Sequence, residues 1–176
     1  DLGASTDCRR YEAEVRAGAI SYETFCEIED VICRSVGHCM VMGTASTMAA
    51  VAEALGMTLP GCAAIPAPDS RRLRLAEASG RQIVEMVRRN LKPSDLMTRQ
   101  AFENAIRVSM ALGGSTNAVV HLLAIAGRLG VDLPLELFDE ISRTTPVIAN
   151  LKPTGKYQME ELFEAGGVPA VMKELA

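Results

Sequence analysis

The chain has 176 residues, 48% of them hydrophobic, which is enough for one sizeable core within the usual range of a single domain. Its net charge of -4, with Lys and Arg scattered along the chain, offers no basic footprint for nucleic acid or an anionic membrane surface, so small charged metabolites are the expected partners. No apolar run approaches the roughly 18 to 20 residues that a spanning helix needs, and no basic-then-apolar leader opens the chain, so a cytoplasmic protein is expected.

The chain opens on Asp1 within a charged stretch, as an internal piece of a longer polypeptide would. Cys8, Cys26, Cys33, Cys39 and Cys62 form an odd set confined to the first 62 residues. That count argues against a disulfide framework and for reduced thiols.

Helical periodicity dominates. Ser21 is placed to cap a helix whose Phe25, Ile28 and Ile32 share a face, ending at Cys33. Thr44 or Ser46 is expected to cap the next, which carries Met48, Val51, Ala52 and Leu55 and is closed by Gly56. Residues 59–72 contain Pro60, Pro66 and Pro68 and cannot be helical throughout. Asp69 then caps a long amphipathic helix with Leu73, Ala76, Gly80, Ile83, Val84 and Val87 along one side.

Further helices are predicted over residues 99–112, 116–129, about 135–142, 159–165 and 169 to the end. Residues 146–150 read as a strand, with a short extended piece near 63–65. The fold class expected is therefore α/β but helix-rich, with little sheet of its own.

Three segments carry possible chemistry. Around residues 33–39, Cys33, His38 and Cys39, joined by Cys62, suggest zinc, but the spacing fits no zinc motif. Cys39 alone, on a glycine-flanked turn before a helix start, suits an iron or iron-sulfur ligand better, because the exposed N–H groups there favour a thiolate. "GTAST" (43–47) and "GGSTN" (113–117) each put hydroxyls at a helix start, where they serve as caps or receive an anion. His121 follows Asn117 by four residues and reads as a hydrogen-bonded core histidine. Lys152 and Lys156 flank a Pro-Thr-Gly turn that is either solvated or binds a carboxylate.

Several longer segments resemble one family, the iron-sulfur dehydratases that include dihydroxy-acid dehydratase and the sugar-acid dehydratases. They are "GHCMVMGTASTM" (37–48), "EALGMTLPG" (53–61), "AIPA" (64–67), "LKPSD" (91–95), "GGSTNAVVHLLAIA" (113–126) and "NLKPTGKYQMEEL" with "AGGVPAVMKEL" (150–162, 165–175). They follow the family's order across nearly all the chain after Cys33. The resemblance implies a hydro-lyase that converts a 2,3-dihydroxy acid to a 2-keto acid with a 2Fe-2S cluster and Mg²⁺. It further implies a small polyhydroxy-acid substrate, a homo-oligomeric dimer or tetramer, and an α/β N-terminal domain of which residues 1–176 form one segment.

Carried over by position, Cys39 matches a cluster cysteine, and Cys33 does not. His38, Thr44, Ser46, Ser115, Thr116 and Asn117 fall in the surrounding shell. The family's other two cluster cysteines, its Cys-Asp-Lys motif, its Mg²⁺ glutamate and its serine base have no match here. No catalytic residue is therefore assigned to this chain, and alone it is expected to be inactive and to hold no stable cluster. Met40 and Val41 replace smaller or polar residues of both family branches, although the sequence from 37 to 48 is nearer the sugar-acid branch. The competing expectation is a non-catalytic helical scaffold derived from the same family.

Overall fold

The computed structural model describes residues 4–32 and 35–176, so Cys33 and any role for it lie outside the described residues. Ten helices run in order among them: α1 (Ala4–Arg16), α2 (Tyr22–Ile32), α3 (Thr44–Ala54), α4 (Ser70–Arg88), α5 (Pro93–Leu96), α6 (Arg99–Ala111), α7 (Asn117–Leu129), α8 (Glu136–Thr144), α9 (Met159–Glu164) and α10 (Gly167–Leu175). Helices α1 and α5 lie where the sequence reading placed no element; the others match its expectations to within a few residues.

The core is built on α6. Its Phe102, Ala105, Ile106 and Val108 are fully or almost fully buried, and α3 lies against it through Ala50 and Val51. Leu122 and Ala126 of α7, Phe138 and Ile141 of α8, and Val168 and Val171 of α10 close the same core. Small residues on α3 and α6 let the two backbones approach, which is why the alanines recur there.

The caps explain the boundaries. The Ser21 hydroxyl accepts from Thr24 N–H at 3.0 Å, and Asp69 accepts from Arg71 N–H at 2.8 Å, both as the sequence suggested. Helix α3 differs. Its N-cap is Gly43, and neither Thr44 nor Ser46 caps it, because their hydroxyls bond elsewhere. At its other end Gly56, at φ +76°, lets Gly56 N–H reach Glu53 O and Met57 N–H reach Ala52 O, a Schellman closure.

Two expectations do not hold. Residues 146–150 are extended but form no strand among the described residues; Ile148 and Ala149 instead donate their N–H groups to the Ala111 carbonyl at the end of α6. The helix end supplies the acceptor that a neighbouring strand would have supplied. Residues 63–65 are a buried turn, bound through Glu53, and the only bridge among the described residues pairs Leu151 with Tyr157. The described fold is thus helix-rich.

Helix α4 is long, amphipathic and capped by Asp69 as expected, with its apolar side exposed: Leu73 and Val87 are 76% and 74% exposed, and Ile83 and Val84 about half exposed. No described element covers that stripe. No helix among the described residues is long and apolar enough to cross a membrane.

Candidate functional site around Cys39

Residues 35–43, ahead of α3, form a turn that carries His38 and Cys39 and has no regular structure. Long-range backbone bonds fix it. Met42 N–H donates to Lys152 O at 2.7 Å, and Met159 N–H donates to Met40 O at 2.8 Å. Gly37 is required at its start, at φ +115°, because a Cβ there would lie 2.7 Å from the Cβ of Ala67.

The Cys39 side chain is exposed and faces a cleft of about 550 Å³. One wall is the turn itself, and the opposite wall is residues 63–68 with Arg72; Met159 and Glu160 of α9 complete it. That opposite wall is held by a buried carboxylate. Glu53 of α3 is 8% exposed and accepts the N–H groups of Gly61 at 2.5 Å and Ala63 at 2.7 Å.

His38 braces the turn from within. Its Nδ1 stands 2.9 Å from the Cys39 carbonyl and 3.4 Å from Ser46 Oγ. A carbonyl only accepts, so Nδ1 is the donor in that contact. The Ser46 hydroxyl, fully buried, donates to Val41 O at 2.7 Å. Both residues therefore fix the backbone on either side of Cys39.

The other expected residues gather a short way along α3. Asn117 Nδ2 donates to Thr44 Oγ1 at 2.7 Å, Thr44 Oγ1 and Ser115 Oγ are 3.3 Å apart, and Ser115 N–H donates to Thr47 Oγ1 at 2.9 Å. The starts of α3 and α7 are thereby joined by a polar cluster. Thr47 also donates to Gly43 O at 2.8 Å, which closes the first turn of α3. Thr44, Ser115 and Asn117 are not among the residues lining the Cys39 cleft, and Thr116 is exposed with no side-chain capping bond.

His121 is exposed on α7 rather than packed in the core. Its four-residue step from Asn117 falls on the solvent side of a helix whose inner face is Ala118, Leu122 and Ala126. Lys152 pairs with Asp7 of α1 at 3.7 Å, and Lys156 lies over the ring of Tyr157; neither lines the cleft.

Sequence reasoning passed over Arg72, Glu160 and Glu53. A signal for Arg72 was available. Two arginines, Arg71 and Arg72, in the first turn of the helix capped by Asp69 put positive charge at the end of a helix that repels it.

The described residues contain no group of three or more His, Cys, Asp or Glu side chains able to hold a metal ion. Cys39 thus fits as one exposed thiol ligand at the edge of a cleft, with room beside it, and a cluster held there needs its further ligands from beyond these residues.

The sequence of the chain matches a known group of enzymes. The family model described as dihydroxy-acid/6-phosphogluconate dehydratase N-terminal matches residues 2–176, and the chain belongs to that family. Among curated relatives, the chain is 56% identical over 174 residues to the L-arabinonate dehydratase of Rhizobium leguminosarum bv. trifolii, which covers 99% of this chain and 30% of that protein. It is 53% identical over 163 residues to the dihydroxy-acid dehydratase of Halothermothrix orenii, covering 93% of the chain and 30% of that protein. With the dihydroxy-acid dehydratase of Pyrococcus furiosus, identity is 51% over 162 residues, 92% of the chain and 29% of the relative. The chain therefore spans about 30% of the length of the curated relatives it matches.

Proposed function

We propose that this chain is the part of a longer hydro-lyase that presents Cys39 as one ligand of a 2Fe-2S cluster. The longer protein would dehydrate a 2,3-dihydroxy carboxylic acid, a sugar acid in preference to a branched-chain acid, to a 2-keto acid. The observation that carries this reading is the exposed Cys39 thiol on a rigidly held turn at the edge of a cleft of about 550 Å³, within a chain that belongs to a dehydratase family.

The cluster, when bound, supplies a Lewis-acidic iron for the departing hydroxyl, and Mg²⁺ from the rest of the protein supplies charge for the carboxylate side. This chain's own residues do the positioning. His38 and Ser46 fix the backbone around Cys39; residues 63–65, held by Glu53, supply an apolar wall that excludes water; the Thr44, Ser115 and Asn117 cluster locks the helix that starts behind the turn. The 176 residues form the helical part of an α/β domain whose sheet is completed by the remaining polypeptide. The same incompleteness leaves the isolated chain without turnover.

The test replaces Cys39 by Ser in the full-length protein. Loss of the cluster's visible absorbance together with keto-acid formation supports the reading. An unchanged spectrum and unchanged turnover sink it.

A further inference from the structure

Arg72 lines the Cys39 cleft from the first turn of α4, and its electrostatic setting is unusual. Its neighbour Arg71 is matched: it bonds Asp69 at 2.6 Å and lies over the ring of Phe163. Arg72 has no such partner among the described carboxylates. One Nη donates to the carbonyl of Ile65, and the other stands 3.7 Å from Cys62 Sγ, so neither protein partner is a carboxylate.

The guanidinium is half-buried and stands where the N-terminal end of α4 already contributes positive potential. A cation held there without an anion is unfavourable on two counts: lost hydration and repulsion from the helix end. Two of its five N–H groups at most are taken by Ile65 and Cys62, which leaves donors for a ligand. Glu160, the one carboxylate lining the same cleft, is exposed and makes no ion pair with it.

Resting on the function proposed above, we infer that Arg72 receives an oxyanion of the substrate acid in the Cys39 cleft, so that it is a substrate-binding residue. The Ile65 and Cys62 contacts hold the guanidinium plane in place, and the carboxylate, or the distal phosphate of a phosphorylated acid, completes its coordination in the paired geometry guanidinium favours.

The experiment uses the full-length protein with its cluster and compares Arg72→Gln and Arg72→Lys with the parent. KM and kcat are read for L-arabinonate and for 6-phosphogluconate, beside cluster absorbance and thermal midpoint. We expect Arg72→Gln to raise KM roughly 10- to 100-fold with kcat within about threefold, and Arg72→Lys to recover part of it, with the cluster spectrum unchanged. An equal rise for both acids identifies the carboxylate; a rise confined to the phosphorylated acid identifies the distal phosphate.

An unchanged KM in Arg72→Gln with both acids overturns the inference. So does a loss of cluster absorbance or of folding in both variants, which would make Arg72 a strap for residues 62–65 and nothing more. A parent protein that lacks cluster and turnover refutes the underlying function instead, and is told apart by that control.

Discussion

Glu53 offers the sharpest quantitative check on how the cleft is built. In Glu53→Ala the carboxylate that accepts Gly61 N–H and Ala63 N–H is removed, and no other described group is bonded to either donor. A hydrogen bond to a charged acceptor contributes about 1.5 to 3 kcal/mol, so two give about 3 to 6 kcal/mol. Ala63 is 5% exposed and bears the full penalty, whereas Gly61 is half-buried and recovers part of it from water. The expected loss is therefore about 3 to 4 kcal/mol, or roughly 10 °C in melting temperature for a chain of this size. Glu53→Gln keeps one acceptor but turns an NH₂ toward the other donor, and should lose about half as much.

Urea unfolding of this chain, followed by far-ultraviolet circular dichroism, measures the difference, and amide exchange at Gly61 and Ala63 locates it. If Glu53→Ala stays within about 1 kcal/mol of the parent chain, the carboxylate does not hold the wall of the cleft and the reasoning fails.

Three further outcomes follow from the same structure. Phe102→Ala, at a fully buried position on α6, should cost about 3 to 5 kcal/mol in urea unfolding. Gly114→Ala should cost about 1 to 3 kcal/mol, because the new Cβ would lie 2.6 Å from Ser109 Oγ and 2.9 Å from Thr47 Cγ2, which pushes the start of α7 off α3; a neutral result would mean the two helices are not packed as described. Asp69, bonded to Arg71 and the first turn of α4, has its pKa lowered to about 2 from the usual 3.8, so its stabilisation is complete above about pH 4 and is lost as pH falls through about 2. A carbon-detected titration of that carboxylate should find the low midpoint, and it should rise toward the usual value in Arg71→Ala.

The helices were legible in the sequence because their signals are local. Ser21, Asp69 and Gly56 mark ends by chemistry that acts within four residues, and the i, i+4 spacing of Ala118, Leu122 and Ala126 marks a buried face directly. What failed depended on partners far along the chain. Residues 146–150 have strand-like composition, yet their N–H groups meet a helix end, and no local rule announces the Ala111 carbonyl. The helix after Asp69 is amphipathic as its spacing says, but no local rule tells that its stripe from Leu73 to Val87 is left uncovered by the described residues.

In the candidate site, Cys39 was legible through its motif, and its pairing with His38 through adjacency. Glu53 was not, and Arg72 was legible only as positive charge at a helix start. Glu53 resembles any helical glutamate until the return of the chain at Gly61 and Ala63 buries it, and Arg72 enters the cleft only because residues 62–65 fold back beneath it.

The turn that carries Cys39 is fastened at Lys152 and Met159, each more than a hundred positions further along the chain. Contacts so distant in sequence close late, after their loop entropy has been met by the core. On a ribosome adding about 5 to 20 residues per second, the thiol waits roughly 5 to 25 seconds before its fasteners have even been made. The order of synthesis thus lets the Cys39 turn reach its final geometry only after the segments that carry Lys152 and Met159 have been made.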